Sequence, residues 1–154
     1  MILRATRFSG ALALLAVGAI HLQQYAGSGY DQIPTIGPLF LLNTVSCALI
    51  GIGLLLPVER WLAARRADGV IGLLAAAGAL IALLSLIALF ISETSTLFGF
   101  SEDGFRTAIV ASIATEVAVI LLLGSVAVFC ARRLRAATRR HRRDSVASPG
   151  LRAV

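Results

Sequence analysis

Apolar residues fall into four long stretches along the chain, separated by short polar connections. The stretches cover about residues 8–26, 37–56, 70–92 and 107–131. Each is long enough to cross a bilayer, which takes about 20 helical residues. Because the connections are short, consecutive helices should pack as antiparallel neighbours. The pattern predicts an all-α fold, a four-helix transmembrane bundle over residues 1–131.

The first stretch is the weakest of the four. Its apolar run follows Arg4 and Arg7 and ends at His21. It could instead be a secretory signal peptide, because small residues suited to cleavage follow at 26–28. We expect the stretch to be retained, because the other three already commit the chain to the membrane.

The composition supports a membrane protein. Hydrophobic residues make up 58% of the chain and charged residues only 14%, whereas a soluble domain carries roughly 25% charged residues. This excludes a disordered chain, a collagen, a disulfide-stapled secreted module and most soluble enzymes. Cys47 is predicted near mid-membrane and Cys130 near the inner surface, too far apart for a disulfide.

The basic residues predict the orientation. All 14 are arginine, and 13 of them lie in the N-terminus, the second connection or the C-terminal tail. The first and third connections hold only Arg106. By the positive-inside rule, both termini are predicted to be cytoplasmic, in a bacterial cytoplasmic (inner) membrane.

Residues 132–154 form an arginine-rich cytoplasmic tail. Seven of the twelve positions from Arg132 to Arg143 are arginine. The cluster can act as a topological anchor, and we expect contact with anionic lipids at Arg132, Arg133 and Arg135. The end of the tail, after Arg143, is predicted to be disordered. Nucleic-acid binding is not expected, because no aromatic residues are interleaved with the charges.

A layer of polar residues occupies the outer half of the predicted spans. At about 1.5 Å per residue, its intramembrane members lie roughly 8 to 14 Å below the outer surface. The inner half contains little that is polar except Ser125. This asymmetry predicts an outward-opening polar pocket, or a hydrogen-bonded plug, above an apolar floor. The candidate ligand-binding or proton-accepting residues are His21, Tyr25, Asn43, Ser85, Ser112 and Glu116.

The spacing of these residues predicts which helix faces point inward. Ser112 and Glu116 are four residues apart and therefore share one face of the fourth helix. His21 and Tyr25 have the same spacing on the first helix, and Gln24 lies beside that face. Each of these faces is expected to point into the bundle.

Glu116 is the strongest single candidate for a functional residue. A carboxyl group in hydrocarbon favours its neutral form unless it pairs with a cation, here protonated His21. It could accept protons or bind a cation. Alternatively, it could be structural, donating an interhelical hydrogen bond to Asn43 or Ser85. The sequence leaves both alternatives open.

No metal site, cofactor or catalytic residue is predicted. A metal site usually has three or four ligands, and the available set is His21 and Glu116, with Glu93 and Tyr25 nearby and no cysteine at that depth. A lone histidine with carboxylates is weak evidence for a metal. Metal or quinone binding is therefore a weaker alternative. The chain also lacks a C-x-x-C pair, a second intramembrane histidine and a flavin motif, so an enzyme is disfavoured.

Two segments resemble a known group of proteins. His21-Leu22-x-x-Tyr25 is followed by Gly29-Tyr30-x-x-Ile33-Pro34-x-Ile36-Gly37-Pro38-Leu39-Phe40-Leu41-Leu42-Asn43, and a later piece reads Leu97-Phe98-Gly99-Phe100-x-Glu102. The pattern resembles an uncharacterised family of small four-span actinobacterial membrane proteins. The resemblance implies a histidine, an asparagine and a glutamate at the positions of His21, Asn43 and Glu116. It implies the fold and the placement of these residues, but no reaction.

The sequence therefore predicts an integral membrane protein that binds a small ligand or serves as an accessory subunit. A purely structural bundle and a small proton-coupled transporter using Glu116 are the alternatives. The expected partners are the lipid bilayer and either further copies of the chain or a larger membrane complex.

Overall fold

The protein consists of four long helices joined by short connections. The computed structural model describes residues 2–95 and 107–147, with side chains described as far as residue 140. No strand occurs within these ranges, and all four helices are long and apolar enough to cross a membrane. The predicted all-α bundle of a multi-pass membrane protein is confirmed. The helices are α1 (Ile2–Gly27), α2 (Ile36–Leu55), α3 (Ala64–Thr94) and α4 (Thr107–Ala147), with 3₁₀ turns at Tyr30–Gln32 and Val58–Arg60.

Three helices are longer than predicted. α1 begins at Ile2 and α3 at Ala64, so both include flanking arginines. α4 continues to Ala147 instead of ending near residue 131. Alanine, leucine and arginine favour helix, and the segment contains no proline or glycine to end it. The disorder predicted after Arg143 is therefore wrong as far as Ala147, and residues 148–154 lie outside the described residues.

The helices form a ring in chain order. Each packs against the next, and α4 closes the ring against α1. α1 and α3 face each other diagonally and touch only sparsely, while the α2–α3 side is the most loosely packed side of the ring. A loose seam between two neighbouring helices is where a bundle can open towards lipid.

The half of the bundle that contains the N-terminal end of α1, which is predicted to be the inner half, holds a dense apolar core. Its fully buried side chains come from all four helices: Ala11, Leu14, Val17, Cys47, Leu54, Ala75, Val119, Leu123 and Val126. Helices approach closely at Gly78, where an added Cβ would lie 2.8 Å from Leu123 Cδ1. Small residues allow such contacts in lipid. The predicted apolar floor is present, and Cys47 and Cys130 are separate free thiols, as expected.

A buried ion pair lies at the end of the bundle where α1 begins and α2 ends. Arg7 on α1 is only 3% exposed, and its Nη1 donates to Glu59 Oε1 at 2.8 Å. Arg4 Nε lies 3.8 Å from the same oxygen. Glu59 belongs to the connection between α2 and α3, so the pair fixes α1 to that connection. The sequence interpretation assigned Arg7 to topology alone and missed this contact.

The first turns of the arginine-rich segment pack along α3. Arg133 lies 3.7 Å from Asp68, and its guanidinium stacks 4.9 Å from the Phe129 ring centroid. Arg65 also donates to Thr138 Oγ1 at 3.2 Å. Arg133 therefore has a protein partner, whereas Arg132 and Arg135 are exposed.

Candidate functional site

A cavity of about 410 Å³ lies in the predicted outer half of the bundle. All four helices and the first 3₁₀ turn contribute to its wall, which is mainly apolar. Its polar lining residues are His21, Gln24, Tyr30, Asn43, Ser46, Ser85, Ser92, Ser112 and Glu116. The structure thus brings together five of the six predicted site residues; their binding role stays a prediction.

His21 is held in a defined orientation between α1 and α3. Its Nδ1 lies 2.9 Å from the Val17 carbonyl oxygen, one turn earlier on α1. Because a carbonyl only accepts hydrogen bonds, Nδ1 carries a proton. In the neutral ring Nε2 is then an acceptor, and the Ser85 hydroxyl donates to it at 3.1 Å. Both ring nitrogens are therefore engaged.

The Glu116 carboxyl is almost completely buried and only half satisfied. It is 1% exposed, and Ser112 Oγ donates to its Oε1 at 3.3 Å. Its Oε2 is also buried but receives no hydrogen bond from any described residue. The Ser85 hydroxyl faces the carboxyl, but its one proton is directed to His21. A buried acceptor left unpaired costs about 1–3 kcal/mol.

Asn43 does not bond to Glu116, although the sequence offered it as a partner. Its Oδ1 accepts a hydrogen bond from Cys47 Sγ at 3.0 Å, one turn later on α2. Asn43 still lines the cavity and is half-buried. The alternative partner, Ser85, is the one that lies beside the carboxyl.

Tyr25 is the one predicted site residue that does not line the cavity. It is half-buried, whereas Gln24 is buried and forms part of the wall. Positions three and four residues from His21 lie on either side of its helix face, so both are compatible with helical spacing. The structure therefore does not place Tyr25 in the cavity wall, and its role stays a prediction.

An aromatic stack connects the first outer loop to the cavity. The Tyr30 ring meets Phe40 edge-on at 4.9 Å, and Phe40 lies 4.9 Å from the His21 ring. The loop reaches this position through Gly29, which has φ +80°, and Gly37, where a Cβ would lie 2.7 Å from the Tyr30 carbonyl oxygen. The Gly-Tyr and Ile-Gly-Pro segments of the motif therefore position one end of the cavity.

Three polar lining residues were missed by the sequence interpretation: Tyr30, Ser46 and Ser92. Gln24 was placed beside the His21 face but was not named as a site residue. Ser46 follows Asn43 by three residues and Ser92 follows Ser85 by seven, so each shares a helix face with a predicted residue. Extending the face rule along α2 and α3 would have found both. Tyr30 lies in a loop, where helical spacing gives no signal.

The exposed part of the described lining consists of three leucines. Leu39 and Leu42 on α2 are 42% and 61% exposed, and Leu84 on α3 is 56% exposed. All three lie on the loosely packed α2–α3 seam. Residues this apolar on the outside of a transmembrane bundle face lipid. Among the described residues, the cavity therefore opens sideways, between α2 and α3, towards the lipid. The second outer connection, with Phe98, Phe100 and Phe105, lies outside the described residues.

The described residues contain no group of three or more His, Cys, Asp or Glu side chains that could hold a metal ion. The chain matches no protein-family model, no curated protein and no solved structure. The resemblance to four-span actinobacterial proteins stays a prediction that depends on the motif.

Proposed function

We propose that this protein binds a small amphipathic molecule within the outer half of a bacterial cytoplasmic membrane, as a ligand-binding or accessory subunit. One observation carries the proposal: a cavity of about 410 Å³ that is mainly apolar, holds a buried carboxyl group and opens on a lipid-facing seam. Small-molecule sites typically combine an apolar lining with a few placed polar groups.

The arrangement suits a ligand taken directly from the bilayer. Its apolar body would lie between Leu42 and Leu84, in contact with lipid, and its polar end would reach Ser112 and Glu116. With both termini cytoplasmic, as the arginine distribution favours, this site lies in the outer leaflet. The apolar floor would prevent the ligand from passing to the inner side, which disfavours a transporter.

The basic segment suits a role beside other membrane components. Arg132 and Arg135 are exposed at the predicted inner surface, where each arginine near anionic headgroups contributes about 1 kcal/mol. The many lipid-facing leucines leave room for further copies of the chain or for a larger complex.

A structural bundle is the second candidate, and one contact favours it. The His21–Ser85 hydrogen bond joins the two diagonal helices, as expected of polar residues that fix helix packing. In that case the cavity would hold only lipid tails.

Native mass spectrometry of the protein released from nanodiscs separates the two candidates. Ala88 lines the cavity, so Ala88→Trp fills it, while Leu49→Trp places the same ring on the exposed face of α2. We expect one bound molecule in the wild type and in Leu49→Trp, but none in folded Ala88→Trp. A wild type without any stoichiometric ligand, as stable as the filled variant, would favour the structural bundle.

A further inference from the structure

We propose that the ligand carries a protonated amine, which donates a hydrogen bond to the free oxygen of Glu116. This assignment rests on the proposed function, because it names the class of molecule that the cavity takes. The observation behind it is the buried Oε2 atom, which no donor from the described residues reaches.

With His21 neutral, the hydroxyl and ring protons of the nearest described residues are all directed away from this oxygen. Ser112 has one hydroxyl proton, which goes to Oε1. Ser85 has one, which goes to His21 Nε2. His21 has its own ring proton on Nδ1, which goes to the Val17 carbonyl. Two arrangements remain for Oε2: it carries a proton of its own, or it accepts one from a bound molecule.

The charge of the lining points to the same class of ligand. His21 is the only basic side chain among the described lining residues, and both of its nitrogens are engaged. No described lining residue therefore supplies Glu116 with a counter-ion, and in hydrocarbon such a carboxyl favours its neutral form until a cation enters. An ammonium group supplies both the missing charge and the missing donor, in a charge-assisted hydrogen bond.

Other headgroups fit this wall less well. A phosphate or fatty-acid carboxylate would meet a like charge at Glu116. A quinone presents only carbonyl acceptors, so it could pair with Oε2 only through a proton on Glu116 itself and without a charge-assisted bond. A neutral alcohol supplies a donor but no charge. Leu39, Leu42 and Leu84 form the apolar edge of the lateral opening. The amine must therefore be attached to an apolar body.

The test compares n-octylamine with n-octanol, which share a chain length and differ in the headgroup. Binding to protein in nanodiscs is measured by isothermal titration calorimetry near neutral pH, with empty nanodiscs subtracted. The variants are Glu116→Gln and a matched control, Glu93→Gln. Glu93 is a half-buried carboxylate on α3 that does not line the cavity.

We expect the wild type and Glu93→Gln to bind octylamine about tenfold more tightly than octanol, because the ammonium group donates a charge-assisted hydrogen bond to Glu116 and the hydroxyl group does not. Glu116→Gln should lose that preference while its octanol affinity stays the same. Equal binding of both compounds in all three proteins would overturn the amine assignment and leave the proposed function standing. Binding of neither compound by a folded wild type would overturn both.

Discussion

His21 on α1 and Ser85 on α3 are joined by a hydrogen bond of 3.1 Å between Nε2 and Oγ. The two helices lie diagonally across the ring and otherwise touch little. The bond also directs the one Ser85 proton away from Glu116. The Ser85 hydroxyl therefore has two effects. It holds α1 and α3 together, and it leaves the buried Glu116 carboxyl without a second donor.

Ser85→Ala should destabilise the protein by about 0.5–2 kcal/mol, because it leaves His21 Nε2 buried without a donor. The measurement is thermal or denaturant unfolding in detergent, followed by helical circular dichroism. The control is Ser125→Ala, since that exposed hydroxyl bonds only to the Leu122 carbonyl on its own helix. Equal losses in both variants would contradict a role for the His21–Ser85 bond.

Gly37→Ala should displace the first outer loop. Its new Cβ would lie 2.7 Å from the Tyr30 carbonyl oxygen, a backbone atom that cannot turn aside. We expect a loss of about 1–3 kcal/mol from this overpacking, together with weaker ligand binding. The control is Gly69→Ala in α3, where a Cβ meets nothing within 4 Å. That change should be neutral or stabilising by up to about 1 kcal/mol, and the reverse order would refute the close loop contact.

Glu59→Gln should cost about 2 kcal/mol, because it leaves the buried Arg7 guanidinium without a counter-ion. The value is below that of a fully buried pair, since the Glu59 side chain is 29% exposed. Asp68→Asn removes the pair with Arg133, whose side chain is 58% exposed and lies 3.7 Å from the carboxylate, and should change stability by less than about 1 kcal/mol. Unfolding of both variants beside the wild type measures the difference.

The Arg7–Glu59 pair should also make stability depend on acid pH. Burial raises the pKa of Glu59, but its own backbone hydrogen bond, the bond from Arg7 and the charges of Arg7 and Arg4 lower it more, so the net pKa lies below its ordinary value of 4.5. A lowered carboxyl pKa stabilises the folded protein above the unfolded value, and this contribution is lost as the pH falls through the folded value.

The wild type should therefore be more stable than Glu59→Gln at neutral pH, and the gap should narrow as the pH drops below about 4.5. Melting temperatures of both proteins across this range give the result. A gap that stays constant with pH would show that the carboxylate charge of Glu59 is not what stabilises the pair.

Leu42→Trp should slow ligand entry, since Leu42 is the most exposed lining residue on the α2–α3 seam. The comparison variant is Leu49→Trp. Leu49 lies two helical turns further along α2, is 68% exposed and lies outside the cavity lining. The measurement is the association rate of octanol in stopped-flow experiments. We expect a slower rate only for Leu42→Trp, whereas unchanged rates in both would argue against lateral entry.

The sequence was enough to predict the four helices and five of the nine polar residues in the cavity wall. His21, Asn43, Ser85, Ser112 and Glu116 were selected because polar groups in hydrocarbon require partners, and depth follows from the helical rise. The apolar floor followed from the lack of polar residues in the inner half. These features depend on composition along single helices, which a sequence displays directly.

The features that the sequence could not predict depend on contacts between different helices and connections. Helical spacing allows either Gln24 or Tyr25 to share the face of His21, and only packing decides between them. Arg7 and Glu59 are 52 residues apart, so their pairing follows from the placement of a connection beneath α1. The lateral opening depends on which side of the ring packs loosely, and hydropathy does not report that.

α4 is 41 residues long, so the arginines near its C-terminal end are predicted to lie at different distances from the membrane. Arg139 follows Arg132 by seven residues, a helical rise of about 10 Å. That exceeds the screening length of about 8 Å at physiological salt. We therefore expect Arg132 and Arg135 to act at headgroup level and Arg139 and Arg140 to project into water, where salt would shield them from the lipid surface and a soluble acidic partner could reach them.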